Sequence, residues 1–178
     1  MNDDLRVVVD TNVLISGLFG IKNSPSSQIL KAVQTQKIIL VTSPPILEEV
    51  GEVINRERIV KLTKMTLKER ADFMDKLIER SDVTAGKQLP QKVGRDLKDE
   101  KFLACAVESR AAYIVTGDED LLILKEQEGI KIITPRKFLE VLSKLKNDDN
   151  HGSNQTYSNR DSGKNDIHHN RKVDRVFG

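Results

Sequence analysis

Residues 5–19 read LRVVVDTNVLISGLF, and the hydrophobic period changes in the middle of them. Val7, Val8 and Val9 are consecutive β-branched residues, the pattern of a strand buried on both faces, whereas Val13, Leu14, Gly17 and Leu18 return at helical spacing. Asp10 stands at the joint. An acid there has an ordinary structural use, because Asp, Thr and Asn all cap helices by accepting the first free N–H groups. A further role for Asp10 depends on whether other acids come to the same place.

The strand-then-helix device recurs downstream. NSPSSQILKAVQ (23–34) opens a helix with Ser24 as cap and Pro25 in first position, and KIILVT (37–42) reads as a strand. SPPILEEVGEVINRERI (43–59) reads as one helix capped by Ser43, and TLKERADFMDKLIERS (66–81) as another, with Thr66 and Glu69 spaced as a capping box. An edge strand around Val83 and a loop over 85–95 precede the helix DEKFLACAVESR (99–110). AAYIVTGD (111–118) runs from strand into loop, IKIIT (130–134) is a strand, and a last helix follows Thr134 and Pro135. Such alternation predicts an α/β fold, a three-layer sandwich with a mostly parallel central sheet flanked by helices, in which ligands bind beyond the strand carboxyl ends.

The 178 residues, 38% of them hydrophobic, suit one domain over 1–146, and from 147 to 178 the chain becomes rich in Asn, Asp, Ser and Gly, as expected of a disordered polar tail. All three histidines, His151, His168 and His169, fall in that tail, so imidazole acid/base chemistry and nucleophilic triads lack their usual base in the domain. A single cysteine, Cys105, excludes an internal disulfide and reads as a buried thiol. The net charge of +2 gives no global basic field, so any nucleic-acid contact is a local patch, such as Arg95 and Lys98. The acidic start and the lack of an apolar run of about 20 residues predict a cytoplasmic protein without a membrane segment.

Asp118 follows YIVTG as Asp10 follows RVVV, which brings both carboxylates to the same edge of the sheet. On a wheel of about 100° per residue, Glu49 lies at the margin of the Ile46, Val50, Val53, Ile54 stripe, while Glu48 and Glu52 point away. Asp99 shares a sector with Phe102, Leu103, Ala106 and Val107; Glu100 and Lys101 do not. Asp10, Glu49, Asp99 and Asp118, with no histidine and no evident lysine partner, would repel one another unless a cation joined them, and an all-oxygen cluster suits Mg²⁺ or Mn²⁺. A phospho-acceptor domain would want two adjacent acids after the first strand, and a haloacid-dehalogenase-like phosphatase an Asp-x-Asp there; VVVDTN offers neither.

Four stretches in order, VVVDTNVLISGL, SPPILEEVGEVI, RDLKDEKFLACA and YIVTGDEDLL, resemble the motifs of the PIN-domain ribonucleases, over about residues 5–142. The nearest likeness is to the VapC-related toxin components of toxin–antitoxin pairs. The resemblance implies metal-site acids at Asp10, Glu49, Asp99 and Asp118, a further acid at Asp120, and supporting polar residues at Asn12 and Thr116; Asp96 matches an acid of the subgroup without an assigned role. It also implies Mg²⁺- or Mn²⁺-dependent hydrolysis of single-stranded RNA by one ion or two, a homodimer, and an antitoxin protein as partner. The competing expectation is a catalytically inactive PIN-like module that binds RNA or protein.

Overall fold

Val7, Val8 and Val9 are at most 1% exposed, because β1 (Arg6–Val9) lies between two parallel neighbours, β2 (Ile39–Thr42) and β4 (Tyr113–Val115). The computed structural model describes residues 5–19, 21–88 and 97–151, with side chains for 5–19, 21–88 and 100–145. Val8 pairs in register with Val41 on one side and Ile114 on the other, so the apolar run fills the centre of the sheet. Beyond β2 lies β3 (Ser81–Val83), and beyond β4 come β6 (Ile130–Ile133) and β5 (Glu126–Gln127), giving the order β3-β2-β1-β4-β6-β5. All pairings are parallel except β5 with β6. The α/β sandwich with a mostly parallel sheet is thus the architecture observed.

The chain moves outward from β1 through β2 to β3, then returns to β4 on the other side of β1. That reversal makes the β1/β4 boundary a topological switch point, the place where doubly wound sheets leave a crevice at their carboxyl edge. Around it stand α1 (Thr11–Gly17), α3 (Pro44–Ile54), α6 (Leu97–Ser109) and the short α7 (Glu119–Ile123). The helix α6 packs on β1, β2 and β4, while α2 (Pro25–Gln34) packs on α1 and on α8 (Pro135–His151).

Several elements differ from the sequence expectations. The helix expected over 43–59 is two, α3 and α4 (Glu57–Thr63), because Asn55 fixes a joint: its side-chain amide donates to Gly51 O at 2.8 Å and its carbonyl accepts from Arg70 Nε at 2.9 Å. The capping box is present at the head of α5 (Leu67–Glu79). Ser43 precedes α3 but makes no side-chain cap; it is fully buried instead, with its Oγ close to Gly86. The hairpin of β5 and β6, which the sequence reading lacked, turns through Glu128 (φ 50°) and Gly129 (φ 81°), a pair of left-handed residues that suits a two-residue turn. Further, α8 reaches His151, five residues beyond the boundary expected at Lys146, since Asn and Asp cost only a few tenths of a kcal/mol each when a packed helix already leads into them. The rest of the expected tail, 152–178, lies outside the described residues.

Gly86 is a specific constraint on this scaffold. Its φ is +67°, and a Cβ there would stand 2.7 Å from Ser43 Cβ, closer than carbon atoms pack. Gly86→Ala should therefore destabilise the chain by about 1–3 kcal/mol through backbone strain and overpacking combined, read as a lower urea midpoint. An unchanged midpoint would show that neither the turn nor the close approach matters.

Candidate active site at the carboxyl edge of the sheet

Asp10 leaves the end of β1 with its N–H donating to Val115 O at 2.9 Å, so the β1–β4 ladder holds the residue directly. Its side chain does cap α1: Oδ1 accepts from the Asn12 N–H at 2.9 Å. The other oxygen, Oδ2, accepts from the Thr116 hydroxyl at 2.6 Å. Thr116 is fully buried, and its Oγ1 in turn accepts from the Asp118 N–H at 2.9 Å. Asp118 caps α7 by accepting from the Asp120 N–H at 2.8 Å. The two strand-end acids are helix caps, as the simpler reading of each would have it, and they are also joined to one another through Thr116.

Glu49 reaches the same loop from α3. Its Oε2 accepts from the Thr11 hydroxyl at 2.5 Å, and Thr11 is the neighbour of Asp10. Glu49 is half-buried, while Glu48 and Glu52 are exposed, as their places on the helical wheel predict. The other oxygen of Glu49, Oε1, lies 3.0 Å from Lys101 Nζ. This corrects the expectation that the acids lack a lysine partner, although Lys101 lies outside the sector of Asp99. A lysine at the edge of a helical stripe reaches sideways on its long stem, which a wheel drawn from Cα positions does not represent.

Asp10 is 4% exposed, and burial raises its carboxyl above the ordinary value. The bonds from Thr116 and Asn12 pull the other way, and the negative charges of Glu49 and Asp118 add to the rise. The donor set is oxygen throughout, and desolvation and two like charges disfavour the ionised form of its buried member. Such a set fits a hard divalent cation. Among the described side chains no three acidic, histidine or cysteine groups converge as ligands of one ion. Asp99 and Lys98 are in the first turn of α6 with their side chains outside the described set, and Arg95 and Asp96 lie outside the described residues. Asn12 and Asp120 are exposed and contribute backbone N–H groups to the neighbouring carboxylates. Thr11 and Lys101 are the residues that the sequence reading missed; for Thr11 the signal was its place between two residues already singled out.

A profile of the PIN domain matches residues 6–120, from β1 into α7. The chain belongs to the PIN-domain family. The matched segment contains all of Asp10, Glu49, Asp99, Asp118 and Asp120. The chain is also 33% identical over 159 residues to an uncharacterized protein of Methanocaldococcus jannaschii, an alignment covering 79% of this chain and 94% of that protein. PIN domains are a nuclease-type fold whose members are commonly metal-dependent ribonucleases. No described helix is long and apolar enough to cross a membrane.

The raised carboxyl of Asp10 has a signed consequence. A group whose folded pKa is above its unfolded one contributes stability that is full below the unfolded value and is lost as pH rises through the folded value. In chelator, Asp10→Asn should therefore melt higher than wild type at pH 7, and the advantage should shrink as pH falls through the raised folded value and be gone by about 4, the ordinary carboxyl value. A mutant less stable at pH 7 would mean that the caps and the Thr116 bond outweigh desolvation and like-charge strain.

Proposed function

We propose that this PIN domain is a divalent-metal-dependent endoribonuclease that hydrolyses phosphodiester bonds of single-stranded RNA, with Mg²⁺ or Mn²⁺ held by Asp10, Glu49, Asp99 and Asp118 and supported by Asp120. The observation that carries the reading is the buried Asp10, joined through Thr116 to Asp118 and flanked through Thr11 by Glu49, at the switch point of the sheet. When bound, the ion supplies an activated water and offsets charge on the phosphate. The protein's part is to hold the acids still: the Thr116 hydroxyl and the Asn12 N–H fix both oxygens of Asp10, and the Thr11 hydroxyl orients Glu49. A nucleophilic side chain has little support, since Cys105 is buried with its thiol pushed up to about 11 by desolvation, and the histidines all lie at or beyond position 151. Arg95 and Lys98, just before Asp99 in sequence, are the proposed contacts to the RNA backbone.

The likeness of the four motifs to the toxin group supports a role as the toxin of a toxin–antitoxin pair, acting in the cytoplasm as a homodimer and restrained by a separately encoded antitoxin. With a labelled single-stranded RNA, Mn²⁺ or Mg²⁺ should give endonucleolytic fragments and chelator should abolish them. Asp10→Asn and Asp99→Asn should each lose more than about 100-fold in rate, while Glu48→Gln stays within roughly twofold because its side chain is on the outer face. RNA binding without cleavage under any metal would favour the inactive binding module. Growth arrest on expression, relieved by Asp10→Asn, is the expected result for a toxin.

A further inference from the structure

Each oxygen of Glu49 has a protein donor, the Thr11 hydroxyl on Oε2 and the Lys101 ammonium on Oε1. The Lys101–Glu49 contact is the one described ion pair that includes an acid of the site. It is not an ordinary surface pair: the Lys101 side chain is 19% exposed, and its ammonium also lies 5.2 Å from the centroid of the Phe102 ring. Lys101 thus sets a positive charge on the acid that is bonded to Thr11, the neighbour of Asp10. An ion bound at Oε1 and the ammonium repel one another, so ion binding weakens the Lys101–Glu49 contact.

We propose that Lys101 is a working residue of the site: its ammonium holds Glu49 until a divalent ion takes that carboxylate, and once freed it contacts a phosphate of the bound nucleic acid. The inference rests on the divalent-ion reading above. Lys101 is suited to both states, since an ammonium is a compact point charge with three donors on a flexible stem, able to exchange a carboxylate oxygen for a phosphate oxygen without a fixed fork geometry. Its position also fits. It lies in α6 two residues after Asp99, in the same helix.

The test is a calorimetric Mn²⁺ titration of the full chain at neutral pH, for wild type, Lys101→Met, Lys101→Gln, Lys101→Arg, Glu49→Gln and the Lys101→Met/Glu49→Gln double variant. Removing a unit positive charge a few ångströms from the ion should tighten Mn²⁺ binding about tenfold in the Met and Gln variants. The Arg variant, which keeps the charge, should stay within about twofold of wild type, and the gain from Lys101→Met should fall to about twofold or less when Glu49 is Gln, because the competition runs through that carboxylate. At saturating Mn²⁺, the affinity for a 2′-O-methyl RNA oligonucleotide, read by fluorescence anisotropy, should fall about fivefold in both neutral variants and recover with Arg. Wild-type Mn²⁺ binding with no tightening in either neutral variant, or with weaker binding, would overturn the proposal and make Lys101 a prop for Glu49. Absence of Mn²⁺ binding by wild type would overturn the ion reading itself. Unchanged oligonucleotide affinity would remove the phosphate contact.

Discussion

The hydrogen bond from the Thr116 hydroxyl to the buried Oδ2 of Asp10 is the contact on which the rest of the site depends. Placing a carboxylate at 4% exposure behind three valines costs several kcal/mol unless its oxygens are met by donors. Three strands end together to supply them. The Asp10 N–H binds Val115 O of β4, and the Thr116 N–H binds Ile133 O of β6 at 3.0 Å, so the acid and its donor are both fixed by parallel ladders rather than by loops alone. The valine run of β1 is what allows this, because a slip of one residue would turn Asp10 to another face.

The far side of the site is tied down by a different device. Glu108, near the end of α6, accepts the N–H groups of Lys87 at 2.9 Å and Ala85 at 3.0 Å. Those bonds, that from Lys87 foremost, hold its carboxyl below the usual glutamate value. Gly86 lies between them, left-handed and pressed on Ser43 at the head of α3. The chain leaving β3 is thereby fastened both to the helix that carries Glu49 and to the helix that carries Asp99 and Lys101. Cys105, which packs beside Thr84 at 3.7 Å, belongs to this buried seam rather than to the chemistry.

What could be read from the sequence follows from how local each signal was. The valine run, the Pro25 and Thr66 helix starts and the inward lean of Glu49 are properties of neighbouring residues, and they appear in the structure as expected. The break at Asn55 needed Arg70 from another helix, and the burial of Ser43 needed Gly86 from beyond β3; neither partner is near in sequence. The hairpin of β5 was hidden because Glu126 and Gln127 carry no strand pattern and owe their pairing to the turn at Gly129. Lys101 was misjudged for a related reason. Charge balance in a site is a property of three-dimensional reach, and the wheel that correctly separated Glu49 from Glu48 cannot say where a four-carbon stem ends.

The central claim is that acids separated by more than one hundred residues of sequence form one divalent-ion site. Anomalous diffraction at the manganese edge from crystals grown with Mn²⁺ tests it most directly. The expected result is an anomalous peak bounded by the carboxylates of Asp10, Glu49, Asp99 and Asp118, with Thr116 still bonded to Asp10. Crystals saturated with Mn²⁺ that show peaks only elsewhere on the chain, such as at the histidines of the tail, would contradict it.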